Sequence, residues 1–314
     1  MNMKYELIII GGGPAGASAA VYAARKQLKT LIITPTFGGQ SGVSPEIYNW
    51  IGTPVISGAN LDASFEKHVR EYDGEFLTIA TGEHVTSVDG KTGDFTVTTD
   101  KDTSYEGKTI LAVAGSSRRK LSEKVTGAEV FENKGVVYCA SCDGPLFSGM
   151  DVVVIGGGNA GFESAAQLLA YCKSVTLLQR SDAYKADEIT VDKVLANPKM
   201  TGILNAEIQS VEGDKFVTGV TYKDLTNDEV TSLPVSGVFV EIGQIPNTTF
   251  LSEIVDLDDY GRVVIDPWTQ RAQGTEGVWA AGDCTNVLYH QNNIAAGDGV
   301  RALEDLYLYI QKKW

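Results

Sequence analysis

"ELIIIGGGPAGASAAVYAARKQLKTLIITP", residues 6–35, contains an apolar run, a GxGxxG turn, an Ala-rich segment and a second apolar run. The same order returns without a gap at residues 151–180, "DVVVIGGGNAGFESAAQLLAYCKSVTLLQR". In each copy the pattern predicts a strand, a tight turn, a helix and a second strand. The sequence therefore predicts an α/β fold that uses the same βαβ unit twice.

Three glycines in each copy have separate physical tasks. The first permits a tight turn, the second lets a pyrophosphate approach the backbone, and the third lets the helix pack closely on the strand. In that order they are Gly11, Gly13 and Gly16 in the first copy, and Gly156, Gly158 and Gly161 in the second. Phosphate would lie at the positive end of each helix. We therefore expect two Rossmann-like domains and two bound dinucleotides.

Size and composition exclude several classes of function. The 314 residues are enough for two domains, and the formal charge of −14 argues against binding to a phosphate backbone. No apolar run approaches the roughly 18 residues of a membrane span or a signal-peptide core. We expect a cytoplasmic protein that binds neither nucleic acid nor membrane.

The stretch "VVYCASCDG", residues 136–144, places Cys139 and Cys142 two residues apart, with Asp143 directly after them. Such a pair could be half of a metal site, a structural disulfide or a redox dithiol. A zinc site needs about four ligands, and the other two cysteines and three histidines form no second pair, so no metal is expected. A reducing compartment disfavours a permanent disulfide. The pattern favours redox chemistry, in which a neighbouring carboxyl group can move the proton.

Further motifs accompany these: "GGQ" at 38–40, "NW" at 49–50, "GQIPN" at 243–247 and "AAGDCTN" at 280–286. Together the motifs resemble the low-molecular-weight thioredoxin reductase family and its relative, the flavoprotein subunit of alkyl hydroperoxide reductase. The resemblance covers essentially the whole chain. It implies a two-dinucleotide-binding-domain flavoprotein in which the nicotinamide domain is inserted into the FAD domain, with residues 1–117 plus 248–314 holding FAD and residues 118–247 holding NAD(P)H. It also implies a homodimer.

The resemblance carries binding roles to particular positions. For FAD they are Gly11, Gly13, Pro14, Ala15, Gly16, Gly39, Gln40, Asn49, Asp283, Gln291 and Ala295. For the nicotinamide nucleotide they are Gly156, Gly158, Asn159, Ala160, Gly161, Arg180, Ser181 and Lys185.

The resemblance also assigns roles at the cysteine pair. Cys142 would face the flavin, Cys139 would attack a protein disulfide, and Asp143 would handle the proton. Electrons would pass from NADPH or NADH to FAD, then to the Cys139–Cys142 disulfide, and finally to thioredoxin or a thioredoxin-like protein. Because the chain begins at the first FAD strand, we expect this partner to be a separate protein.

The coenzyme loop departs from the family pattern. NADPH-using members carry several arginines here, whereas this chain reads "QRSDAYK" at residues 179–185. Arg180 and Lys185 could still hold a 2′-phosphate, which slightly favours NADPH, and NADH or the use of both stays open. A ferredoxin-driven reductase, a flavin-dependent dithiol oxidase and a redox-sensing flavoprotein without turnover also stay open.

Overall fold

The computed structural model of the chain describes residues 4–44, 46–121 and 124–314. The chain divides into two units, one that runs up to Ser117 and resumes at Ile245–Trp314, and one that spans Arg118–Gln244. The second division lies between residues 244 and 245, whereas the resemblance implies a boundary after residue 247.

The four apolar runs predicted as strands in the two glycine-motif copies form strands, and the chain forms further strands besides them. In chain order they are β1 (Tyr5–Ile10), β2 (Thr30–Thr34), β3 (Leu77–Thr81), β4 (Val85–Lys91), β5 (Asp94–Thr99), β6 (Ser104–Ala112), β7 (Ser116–Arg118), β8 (Val136–Val137), β9 (Asp151–Ile155), β10 (Ser174–Leu178), β11 (Met200–Ile203), β12 (Ala206–Gly213), β13 (Val217–Asp224), β14 (Val230–Leu233), β15 (Gly237–Val240), β16 (Gln244–Pro246) and β17 (Val278–Ala280).

The α-helices are α1 (Pro14–Arg25), α2 (Gly58–Arg70), α3 (Ala140–Asp143), α4 (Asn159–Leu168), α5 (Glu188–Leu195) and α6 (Asn292–Lys313). Short 3₁₀ turns occupy Gly39–Val43, Gly144–Phe147, Thr249–Leu251 and Gly282–Cys284. Among the residues that the structure describes, no helix is long and apolar enough to cross a membrane.

The first unit is built on a sheet in the order β3-β2-β1-β6-β5-β4, with β17 paired to β6. The strands around β1 are parallel, as the βαβ pattern requires, and the β4–β5–β6 meander is antiparallel. Successive β1 side chains alternate between two cores, with Leu7 and Ile9 on one face and Ile8 and Ile10 on the other. A sheet buried on both faces explains the unbroken apolar run in this strand.

The second unit repeats the arrangement with a parallel sheet in the order β11-β10-β9-β15-β8. Alternate β9 residues again enter two cores, with Val153 and Ile155 on one face and Val152 and Val154 on the other. A separate antiparallel sheet, β12-β13-β14, belongs to the same unit. The α/β fold with two Rossmann-like units is therefore confirmed.

Candidate functional site

The first glycine motif joins β1 to α1, and its glycines meet three different demands. Gly11 has φ of +122°, and a Cβ there would lie 2.3 Å from the carbonyl oxygen of Val113. A Cβ on Gly16 would lie 2.0 Å from the carbonyl oxygen of Gly11. A Cβ on Gly13 would come no closer than 3.9 Å to a heavy atom, the carbonyl oxygen of Gly38. Gly11 and Gly16 are thus required by the fold, whereas the space at Gly13 is left open.

The second motif joins β9 to α4 with the same geometry. Gly156 has φ of +119°, and its Cβ would lie 2.2 Å from the carbonyl oxygen of Glu241. The Cβ of an alanine at Gly161 would lie 1.9 Å from the carbonyl oxygen of Gly156, and nothing lies within 4 Å of one at Gly158. Asn159 and Ala160 begin α4 beyond this turn, as Pro14 and Ala15 begin α1. Both turns therefore leave an open approach at the N-terminus of a helix.

In the first unit, polar side chains from distant segments meet beside the open turn. Gln40 Nε2 lies 3.0 Å from Ser116 Oγ and 3.4 Å from Asp283 Oδ2. Asn49 Nδ2 donates to Gln291 Oε1 at 3.2 Å. Asp283 lies in the 3₁₀ turn after β17, at the carboxyl end of a parallel strand, where ligands of open α/β sheets bind.

Two of the remaining predicted positions frame this groove. A Cβ on Gly39 would lie 3.6 Å from Gly13 Cα, so two glycines face each other without side chains between them. Ala295 begins the second turn of α6, where its Cβ would be 3.3 Å from a Cβ placed on Gly282. The first unit thus brings Gly39, Gln40 and Asp283 near the open turn, with Ala295 beside Gly282, and it separately pairs Asn49 with Gln291.

Buried polar atoms around the groove provide a test of whether FAD fits. Among the described residues, His290 Nε2 and Asp62 Oδ1 are buried without a hydrogen-bond partner. His290 precedes Gln291, and the carboxyl group of Asp62 lies against Gly38 and Gly42 on either side of Gln40. The open helix terminus, the Gln40–Asp283 pair and these two atoms fit a ligand that carries phosphates, hydroxyl groups and a polar ring. The residues present therefore suit FAD.

The predicted coenzyme loop of the second unit folds back onto its own glycine turn. Gln179 is buried, and its Oε1 accepts the Gly157 N–H at 2.9 Å while its Nε2 donates to Ser181 and Ala183. The Lys185 N–H donates to the Gly157 carbonyl oxygen at 2.8 Å. Asn159 Oδ1 accepts the Asp187 N–H at 2.9 Å. The loop is consequently held at the phosphate-binding turn by main-chain and side-chain hydrogen bonds.

The cysteine pair lies in the same unit, where Cys139 and Cys142 form a disulfide with Cα atoms 5.3 Å apart. Cys139 is the N-terminal cap of α3, and its Sγ accepts the Cys142 N–H at 3.2 Å. Burial raises the pKa of Asp143 to about 6, an effect that the positive charge of Arg118 opposes. A carboxyl group with this pKa can both donate and accept a proton near neutral pH.

The other two cysteines are buried and unpaired with each other. Burial raises the pKa of Cys172 to about 11 and that of Cys284 to about 12, so both remain protonated. Among the described residues, no group of three or more His, Cys, Asp or Glu side chains is arranged to hold a metal ion. Substitutions of Cys172 or Cys284 can therefore serve as controls for substitutions of Cys139 and Cys142.

Sequence reasoning missed a partly buried carboxyl group at the second glycine turn. Glu241 follows β15, and its Oε1 accepts a hydrogen bond from Ser164 Oγ on α4 at 2.7 Å. Burial raises the pKa of Glu241 to about 7, while Ser164 and Arg118 act in the opposite direction and Glu163 adds to the increase. The one available signal was an acidic residue that interrupts the apolar run "GVFVEIG".

Comparison with known proteins agrees with this arrangement. A profile of the pyridine nucleotide-disulphide oxidoreductases matches residues 5–299. The chain belongs to this family. Its members in general combine FAD with NAD(P)H, which is consistent with two glycine motifs and a redox disulfide in one chain.

Individual relatives carry several functional names. The chain is 38% identical to an NADH dehydrogenase of Ferdinandcohnia aciditolerans over 98% of its own length and 57% of that protein. It is 39% identical to the F component of the alkyl hydroperoxide reductase of Xanthomonas campestris pv. phaseoli over 95% of its own length and 56% of that protein. The chain thus spans little more than half the length of these relatives.

A solved structure matches the chain over almost its full length. It is the thioredoxin reductase of Streptococcus pyogenes, with 32% identity, a TM-score of 0.90, and coverage of 99% of this chain and 100% of that chain. The resemblance inferred from the motifs is therefore confirmed at the level of family and fold.

Proposed function

We propose that the protein is an FAD-dependent, nicotinamide-fed protein-disulfide reductase whose substrate is thioredoxin or a thioredoxin-like protein. The observation that carries this proposal is the Cys139–Cys142 disulfide beside the Asp143 carboxyl group, in the unit that also holds the second glycine turn. A homodimer is part of the proposal. It rests on the family and on the full-length similarity to a thioredoxin reductase.

The first unit would hold FAD through the open turn at Gly13 and through Gln40 and Asp283. When bound, FAD supplies the ability to accept an electron pair as a hydride from a nicotinamide and to return that pair to a disulfide. The second unit would bind the nicotinamide nucleotide at the open turn around Gly158. The open approach at both glycines supports two dinucleotide sites, and the Gln40–Asp283 pair supports FAD in the first unit.

The chain's own residues then carry out thiol chemistry. Two electrons and two protons break the Cys139–Cys142 bond and leave two thiols. The Cys139 thiolate attacks a sulfur of the partner's disulfide and forms a mixed disulfide, which Cys142 resolves as the intramolecular disulfide returns. The partner leaves as a dithiol. Asp143, with its raised pKa, would hold the proton that moves to and from the Cys142 sulfur.

The test is anaerobic stopped-flow reduction of the FAD-loaded protein, with flavin absorbance followed after mixing with NADH or NADPH. We expect bleaching by at least one coenzyme and uptake of two electron pairs per protomer, one by the flavin and one by the disulfide. Cys142→Ser should take up one pair and lose thioredoxin reduction, whereas Cys172→Ser should behave as the unmodified protein.

Other outcomes would redirect the proposal. Absence of bleaching by either coenzyme would remove the nicotinamide from the scheme and favour reduction by ferredoxin. Rapid oxygen consumption with a small dithiol would favour an oxidase. Two-pair uptake without reduction of any thioredoxin-like protein would leave a redox-sensing flavoprotein.

A further inference from the structure

An acidic side chain is fixed beside the coenzyme loop of the second unit. The Asn205 N–H donates to the Ser181 carbonyl oxygen at 3.0 Å, and the Ala206 N–H donates to the Gln179 carbonyl oxygen at 2.9 Å. These two backbone bonds set the start of β12 alongside residues 179–181. Glu207, the next residue, lies with its Oε1 3.9 Å from Arg180 Nη1. The acid is placed there by the main chain and not only by the position of a flexible side chain.

Gln179 occupies the position that usually binds the adenosine ribose, but its side chain is hydrogen-bonded within its own loop. A residue at the end of the second strand of a Rossmann unit bonds the ribose hydroxyl groups when it is acidic. Here that residue, Gln179, is buried and uses both ends of its amide within its own turn, on Gly157, Ser181 and Ala183. Gln179 is neutral and contributes no charge. The charged side chains around Gln179 must therefore distinguish a 2′-hydroxyl group from a 2′-phosphate.

The charges on this surface are mixed. Arg180 is 77% exposed and Glu207 is 40% exposed, so each side chain can reach a ligand. Lys185 is also exposed, but Asp182 and Asp187 are exposed on the same loop. Lys223 faces Glu207 across the β12–β13 ladder, and its Nζ pairs with Asp228 at 2.6 Å. Glu207 also accepts a hydrogen bond from Gln209 Nε2 at 3.3 Å, and its charge acts on both Lys223 and Arg180. Of these two cations, Arg180 is the one on the coenzyme loop that a 2′-phosphate would need.

We propose that Glu207 is a specificity-determining residue that makes the second unit prefer a nucleotide with a free 2′-hydroxyl group, NADH over NADPH. A 2′-phosphate carries nearly two negative charges at neutral pH and would have to compete with Glu207 for Arg180. A ribose diol carries no charge and can donate hydrogen bonds to a carboxylate. This inference rests on the proposed function only in assigning the nicotinamide nucleotide to the second unit.

The test measures binding and needs no turnover. Calorimetric titration of the FAD-loaded protein with NAD⁺ and NADP⁺ would give the ratio of their dissociation constants. We expect NAD⁺ to bind more tightly by about ten-fold, and Glu207→Gln to narrow the ratio by about five-fold by strengthening NADP⁺ binding. The matched control is Glu212→Gln, which removes a charge at the other end of β12 and should leave the ratio unchanged. Added salt should reduce the preference of the unmodified protein, because both side chains are exposed.

The outcomes separate the two proposals. If neither nucleotide binds, the assignment of the nicotinamide to the second unit is wrong. If either binds but the ratio is the same in the unmodified protein and Glu207→Gln, or if Glu212→Gln shifts it equally, Glu207 is not the determinant. Tighter binding of NADP⁺ than NAD⁺ by the unmodified protein would also overturn the inference.

Discussion

The two glycine turns have the same backbone but differ in the side chains behind them. The Val113 N–H donates to the Ile10 carbonyl oxygen at 2.9 Å, and the Glu241 N–H donates to the Ile155 carbonyl oxygen at 2.8 Å. The carbonyl groups of Val113 and Glu241 lie equally close to the first glycine of their motif. Ser164, the partner of Glu241, aligns with a buried alanine of the first copy, Ala19. The fold thus requires the turn but not the side chains behind it. The apolar pair Val113 and Ala19 in the first unit is replaced in the second by a partly buried acid, Glu241, and a hydroxyl group, Ser164.

The largest expected effect comes from the glycine that both units need for packing. Gly16→Ala and Gly161→Ala each place a Cβ about 2 Å from a backbone carbonyl oxygen, and each should cost its own unit about 3 kcal/mol in free energy of unfolding. Chemical denaturation followed by tryptophan fluorescence reports the first unit, because Trp50, Trp268, Trp279 and Trp314 all belong to it. Far-UV circular dichroism reports both units.

The two variants should therefore separate by probe. Gly16→Ala should shift the fluorescence transition, and Gly161→Ala should shift part of the dichroism signal while the fluorescence transition stays in place. Equal shifts of the fluorescence transition in both variants would contradict the assignment of one packing glycine to each unit.

A smaller effect on the fold and a selective effect on binding are expected at the middle glycines. Gly13→Ala and Gly158→Ala introduce a Cβ that touches nothing closely within the protein, so without bound nucleotide both should keep the unfolding midpoint of the unmodified chain. The added methyl group would instead block the approach of a pyrophosphate. We expect Gly13→Ala to weaken FAD retention, and Gly158→Ala to weaken NAD⁺ or NADP⁺ binding by ten-fold or more. Equilibrium dialysis for FAD and calorimetry for the nicotinamide nucleotide would measure them.

The opposite pattern of binding losses would mean that the two units bind the opposite ligands. Loss of FAD from Gly158→Ala with normal retention in Gly13→Ala would assign the flavin to the second turn. An unchanged affinity in both variants would mean that neither turn approaches a phosphate.

The smallest expected effect is on the pH dependence of stability. Because the pKa of Glu241 is raised to about 7 in the folded chain, the folded state binds this proton more tightly than the unfolded state does. The contribution to stability is therefore largest below the ordinary pKa of a glutamate, and it declines as pH rises towards 7. Copying the first unit with Glu241→Val plus Ser164→Ala should remove this decline, so that the variant gains more stability over the unmodified protein at pH 8 than at pH 5.

Thermal unfolding at the two pH values would measure that difference. Ser164→Ala alone is the informative companion, because Ser164 lowers the pKa of Glu241 and its loss should destabilise the protein most at pH 8. If the double variant and the unmodified protein differ by the same amount at both pH values, Glu241 is not the cause.

The glycine turns could be read from the sequence because their requirements are local. The spacing of Gly11, Gly13 and Gly16 predicts where backbone atoms must approach one another. The structure shows the same geometry in the second motif, which begins at Gly156. The strand before Asp283 ends at Ala280, and the chain turns at Gly282, which has φ of +73°.

The charged contacts could not be read in the same way. Glu241 and Ser164 are 77 residues apart, and Glu207 reaches Arg180 only because β12 starts alongside the coenzyme loop. Strand register and the meeting of distant segments decide these pairs, and neither leaves a periodic signal in one sequence. The sequence could therefore predict which ligands the chain accommodates better than how finely it discriminates between them.

The interrupted course of the first unit has a consequence for how the chain is made. Residues 118–244 form a continuous segment, so the second unit has all its strands once Gln244 has left the ribosome. The first unit has β1 to β6 and α1 early, but it lacks β17 beside β6 and α6 against α1 until the last part of the chain arrives. Its nascent sheet must therefore keep an apolar face uncovered for most of synthesis, a period in which a growing chain is open to aggregation and to capture by chaperones.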